Sequence, residues 1–187
     1  MTNPRRKGPE RRRDELSIAS EVMPDGSYGI VLSYGKTIRW MAVEDVTYYC
    51  QGVVQAAVYA EYDAGIVKQL RDRVGVPQEG VGEVLELVRA KRPALNVHAT
   101  HPLGLEPGVN LAGKPFIGLH VNGRKVGQWD PDDCRSHALG CLDLAAAVQL
   151  DNVYRQVLAE DVGVGDKARG FVGMLGKDLP SYKVVQA

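Results

Sequence analysis

The sequence predicts an α+β fold: an internal duplication of a β-hairpin, long helix, short helix unit, its two copies packed with pseudo-two-fold symmetry. Three observations carry this expectation. The stretch from Tyr28 to Val76 finds a match without a gap 88 residues further on, at Phe116 to Val164. In both copies a tight turn, Gly35-Lys36 or Gly123-Arg124, joins two strand-like runs that lead into an acidic pair, Glu44-Asp45 or Asp132-Asp133. Both copies then carry a long apolar stripe that ends at the same tripeptide, Val74-Gly75-Val76 or Val162-Gly163-Val164. A hairpin with one helix is marginal in water, so two such units are expected to hide each other's apolar faces in one joint domain.

Residues 1–15 form a basic arm. Arg5, Arg6, Lys7, Arg11, Arg12 and Arg13 stand against three acids, a net of +3, in a chain whose total is 0. With Pro4, Gly8 and Pro9 and no apolar period, the arm has nothing to bury and is expected to be flexible. The first copy spans residues 16–92. Leu16 to Met23 is a short apolar segment able to add a strand, and Pro24-Asp25-Gly26-Ser27 is a turn signal. Tyr28 to Ser33 and Thr37 to Met41 are rich in β-branched and aromatic residues, as strands are. From Val46 the apolar positions Tyr49, Cys50, Val53, Ala57, Ala60, Val67 and Leu70 recur at helical spacing. Gly75 is a natural stop, and Val81 to Ala90 reads as a shorter amphipathic helix.

Residues 93–115, with prolines at 93, 102, 107 and 115, read as a connection. The second copy fills residues 116–187. Asn122-Gly123 is the pair best suited to a two-residue type I′ hairpin, because both central residues take positive φ. Asp130 is placed to cap the following helix, Pro131 suits its first position, and Asp132 and Asp133 favour the positive end of its dipole. The stripe Cys134, Ala138, Cys141, Leu142, Ala145, Val148 and Leu158 is the expected core face. Asp63 and Asp151 interrupt the two stripes at matching places, as exposed residues of a continuous helix or as caps where it restarts. Lys167 to Leu175 reads as a short helix, and Pro180 to Ala187 as an edge strand or irregular chain.

Size and composition fit ordinary soluble proteins, with hydrophobic residues at 44%. Three cysteines are too few for a secreted disulfide framework, and the apolar run Leu142 to Leu150 is broken by Asp143 and Gln149. The expected setting is therefore the cytoplasm, or a virion for a phage-encoded chain, with no membrane contact.

Cys134, His137 and Cys141 share one helix face and are zinc-ligand types. Their counterparts Val46, Tyr49 and Val53 are plain core residues, so the three are expected in the core; they are candidate ligands only, and neither a metal nor a cofactor is called for. His98 and His101 lack the intervening glutamate and four-residue spacing of a metalloprotease helix. Gly163 to Gly170 lacks the lysine and hydroxyl residue of a phosphate loop. Trp40 and Trp129 end the two hairpins one residue out of step, are expected as core anchors, and a bulge in one copy would align them. With no catalytic motif, the sequence points to a non-enzymatic assembly or interaction protein, a small component or accessory factor of a phage particle or another large complex. Its partners would be other subunits, met in part through the six arm cations. The alternative is nucleic-acid binding through the same arm, with a steep salt dependence.

Overall fold

The computed structural model describes residues 16–23, 25–34, 36–95, 103–168, 170–172 and 185–186. It is an α+β structure of two antiparallel sheets and the helices that cover them. Three strands, β1 (Leu16–Val22), β2 (Tyr28–Tyr34) and β3 (Thr37–Met41), form a meander that leads into helix α1 (Val43–Lys68). A π-helical turn (Gln69–Val74) and helix α2 (Gln78–Lys91) follow. Strands β4 (Leu103–Val109), β5 (Pro115–Val121) and β6 (Arg124–Trp129) make a second meander leading into helix α3 (Pro131–Glu160), and the two-residue β7 (Val185–Gln186) adds to the edge at β1.

Local chemistry accounts for most boundaries. Between β1 and β2 the Asp25 carboxylate accepts from the Ser27 amide at 2.9 Å, and Gly26 takes φ 82°. Asn122 and Gly123 take φ 50° and 76°, the type I′ geometry expected of that pair. Asp130 accepts the Asp133 amide at 2.8 Å while the Asp133 carboxylate accepts the Asp130 amide at 3.2 Å, a complete capping box with Pro131 behind it. Ala42, at the start of α1, has no side-chain cap. Both long helices end alike: Gly75 and Gly163 take φ 77° and 74°, with Val76 N–H bonded to Leu70 C=O and Val164 N–H to Leu158 C=O.

Four expectations change. The connection 93–115 contains a strand, β4. Proline is tolerated on an edge strand such as this one, and glycine at 108 leaves room for the Phe116 ring that lies over it, since a Cβ would come within 2.7 Å of the ring tip and force it to shift. The match without a gap is one residue out in the strands. Core-facing Leu16, Ile18, Ile30 and Leu32 correspond to Leu103, Leu105, Ile117 and Leu119, 87 apart, whereas the helices keep 88. The odd residue is Val126, left unpaired where β6 bulges opposite Leu119 and His120. The bulge turns Trp129 into the core opposite Ile117, whereas Trp40 faces outward, 44% exposed, so only Trp129 is a core anchor. Finally, α1 and α3 run unbroken past Asp63 and Asp151, and both aspartates are buried rather than exposed or capping.

The main core is one cluster drawn from both sheets and both long helices. The helices pack on each other, and each lies against the sheet of the other half: α1 against β4 and β5, α3 chiefly against β2 and β1. Asn152 of α3 fixes this crossing by accepting from the Tyr28 amide at 2.7 Å and donating to the Tyr28 carbonyl at 2.9 Å. Most of the two expected stripes are buried there, but Leu142 is exposed, Leu70 and Leu158 are half-buried, and Val67 belongs to a separate cluster. A smaller cluster of Val67, Val81 and Leu85 seats α2 on α1.

Candidate functional site

Three groupings have chemical or binding potential. The first is the buried cluster where α1 crosses α3. Cys134, His137 and Cys141 all lie on the core face of α3. A 2.6 Å hydrogen bond joins Tyr49 Oη to His137 Nε2, Cys141 Sγ stands 3.4 Å from the same nitrogen, and the Trp129 ring lies 4.6 Å from the imidazole centroid. Cys50 donates its thiol proton to the Ala138 carbonyl at 3.3 Å. Burial, with Asp133 and Asp130 nearby, pushes the Cys134 thiol up to about 12, and burial likewise raises the Tyr49 phenol. A hydrogen bond with Cys50, reinforced by burial, pushes Cys141 up, and the same hydrogen bond draws Cys50 down against the opposing effect of burial. Cys134 and Cys141 therefore remain neutral thiols at neutral pH, apolar neighbours for the ring stack. Among the described residues no three His, Cys, Asp or Glu side chains are grouped to hold a metal ion.

The second grouping is a charged clasp. Asp63, 1% exposed, accepts from Arg89 Nε at 2.8 Å and Arg92 Nη1 at 3.1 Å. Arg92 also lies over the Tyr59 ring, 4.6 Å from its centroid, and the Tyr59 hydroxyl donates to the Pro93 carbonyl. The clasp holds the C-terminal end of α2 to α1.

The third is apolar surface. Leu139, Leu142, Ala146, Leu150, Val153, Tyr154 and Val157 are exposed on α3. At 100° per residue they form one stripe, on the side opposite Cys134, Cys141, Ala145 and Val148. Leu139 is 64% exposed and Leu150 56%. One flank of the stripe opens into a groove of about 570 Å³ between the long helices, floored by Cys50 and Ala138 and walled by Val54, Leu139 and Leu142. Ile38 and Trp40 add a smaller exposed pair on the edge strand β3.

The arm cations Arg5, Arg6, Lys7, Arg11, Arg12 and Arg13, and also His98 and His101, lie outside the described residues. The sequence-level reading missed the stripe because it looked for one apolar face per helix; α3 has apolar residues on both sides of nearly every turn, and that excess was the available signal. Among the described residues no helix is long and apolar enough to cross a membrane. No protein-family model, curated protein or solved structure matches the chain.

Proposed function

We propose that this is a non-enzymatic assembly subunit, built as a fused pseudo-dimer of one duplicated unit, that joins a larger protein complex such as a phage particle. Two observations support the duplication. The order strand, strand, strand, long helix occurs in both halves, and core-facing positions recur 87 apart in the strands and 88 apart in the helices, with one bulge residue making up the difference. Tyr49 meets His137 and Cys50 meets Ala138, each pair 88 apart. Residues beside a two-fold axis meet their own equivalents in this way. Each long helix covering the other half's sheet fits an ancestor that exchanged helices as a dimer.

One observation carries the functional reading, the second apolar face of α3. A single-sided helix satisfies a monomer, and a contiguous exposed apolar stripe of this length marks a contact surface. Cys134, His137 and Cys141, by contrast, are buried, the two thiols held neutral, and work as packing. The test is the native complex in cells that express the chain. Wild type is expected to migrate well above its own mass and Leu150→Glu to collapse that complex while the body stays folded; a complex indifferent to Leu150→Glu removes the reading.

A further inference from the structure

The spacing of the α3 stripe identifies what covers it. Leu139 and Leu150, Leu142 and Val153, and Ala146 and Val157 are each 11 residues apart. An 11-residue repeat gives about 3.67 residues per turn, close to the 3.6 of a straight helix, so the stripe runs along α3 without winding round it. Its length is about 27 Å at 1.5 Å per residue.

The stripe is complementary to itself when reversed. With a second α3 laid antiparallel about a point level with Val148, Leu139 opposes Val157, Leu142 opposes Val153, and Ala146 opposes Leu150, small against large at the centre. The flanks match as well. In an antiparallel pair each flank faces the same flank of the other helix, and Arg135 on one flank then meets Glu160, while Asp143 on the other meets the Tyr154 hydroxyl. Arg135 already holds Glu61 at 2.6 Å and Asp132 at 3.3 Å through its two Nη groups, so Glu160 of the second copy would be a third carboxylate on the same five-donor guanidinium. A parallel pairing would set Ala146 against Ala146, small against small at the centre, and would bring opposite flanks together. The exposed side chains of the stripe offer on the order of 600 Å² of apolar area per copy, bringing a pair to the lower bound of specific interfaces.

We propose that a second copy of this chain docks on α3 through an antiparallel, isologous helix pair centred at Ala146 and Leu150. The proposal rests on the assembly reading and names the first partner in it. Residues 173–184, which follow α3 in the chain, are the rival occupant.

The experiment is light scattering and sedimentation of the purified full-length chain. Wild type is expected at twice the chain mass at tens of micromolar. Leu150→Glu, present twice in each dimer, is expected to weaken association by about 100-fold, and Leu139→Lys to act alike, with the far-UV spectrum unchanged. Mixing Ala146→Cys with Leu150→Cys in oxidised glutathione is expected to yield a disulfide-linked pair faster than either variant alone, which a parallel pairing would not do. A monomeric wild type overturns the proposal, as does a dimer indifferent to Leu150→Glu, or a dimer that forms only after deletion of residues 173–184. Should the purified chain be monomeric while the cellular complex still depends on Leu150, self-association fails and the assembly reading stands; if neither depends on Leu150, both fail.

Discussion

Replacing Asp63 by alanine is expected to unlatch α2. The carboxylate is 1% exposed and receives two guanidinium groups, from Arg89 at 2.8 Å and Arg92 at 3.1 Å. Removing one member of a buried ion pair leaves the other uncompensated, a loss of about 3–5 kcal/mol when both are sealed in. Here the Arg89 and Arg92 side chains are 35% and 19% exposed, so each reaches some water and the expected loss falls to about 2–4 kcal/mol. Asp63→Asn keeps the shape and one acceptor but gives up the charge, and should lie between wild type and alanine. Urea unfolding of the full chain measures the global change, and hydrogen exchange across Gln78–Lys91 locates it, since α2 should lose protection before α1 does. An Asp63→Ala loss under about 1 kcal/mol, or α2 protection that survives intact, would refute the argument that this clasp seats the helix.

Two further outcomes follow from the core. Exchanging the facing pair, Tyr49→His with His137→Tyr, should cost less than the sum of the two single changes, which are expected near 2 kcal/mol each, with a favourable coupling of at least about 1 kcal/mol by urea unfolding; strictly additive losses would show that the two positions are not equivalent. Raising the pH should also destabilise the fold, because Cys134 ionises near its ordinary value when unfolded but only at about 12 when folded. The unfolded chain then binds fewer protons from about pH 9 upward, so stability is full below that pH and declines toward pH 12, by up to about 4 kcal/mol for this thiol. Cys134→Val, which copies Val46 in the other helix, should make that decline shallower in melting temperatures measured from pH 8 to 11, the remainder coming from Cys141 and Tyr49, which are also raised in the fold.

What the sequence reveals here is local. Asn122-Gly123, the Asp130-Pro131 cap and the two glycine stops each act on their immediate neighbours, and they stand where the sequence puts them. Strand β4 was hidden by Pro107 and two glycines, Gly104 and Gly108, which read as a linker until an edge position and the Phe116 ring over Gly108 explain them. The bulge at Val126 turned Trp129 inward opposite Ile117, the place Met41 holds opposite Ile30, and so did not align it with Trp40, which faces outward from an unbulged strand, an effect of register that no count of apolar residues contains. Asp63 read as an exposed residue or as a cap at a helix break near Gly65, because its partners, Arg89 and Arg92, lie at the end of another helix and come near only after folding. The expected α3 stripe ran one turn too wide for the same reason: Leu142 has helical spacing with the core residues, yet α1 ends its cover at the groove and leaves it outside.

The account depends on two halves closing a single core, each long helix resting on the opposite sheet. Native-state hydrogen exchange on the full chain tests this directly. The slowest amides of α1, α3, β2 and β5 are expected to share one opening free energy, equal to that of global unfolding. Two distinct free energies, one for β2 with α1 and another for β5 with α3, would mean that the halves open separately, and would contradict the shared core.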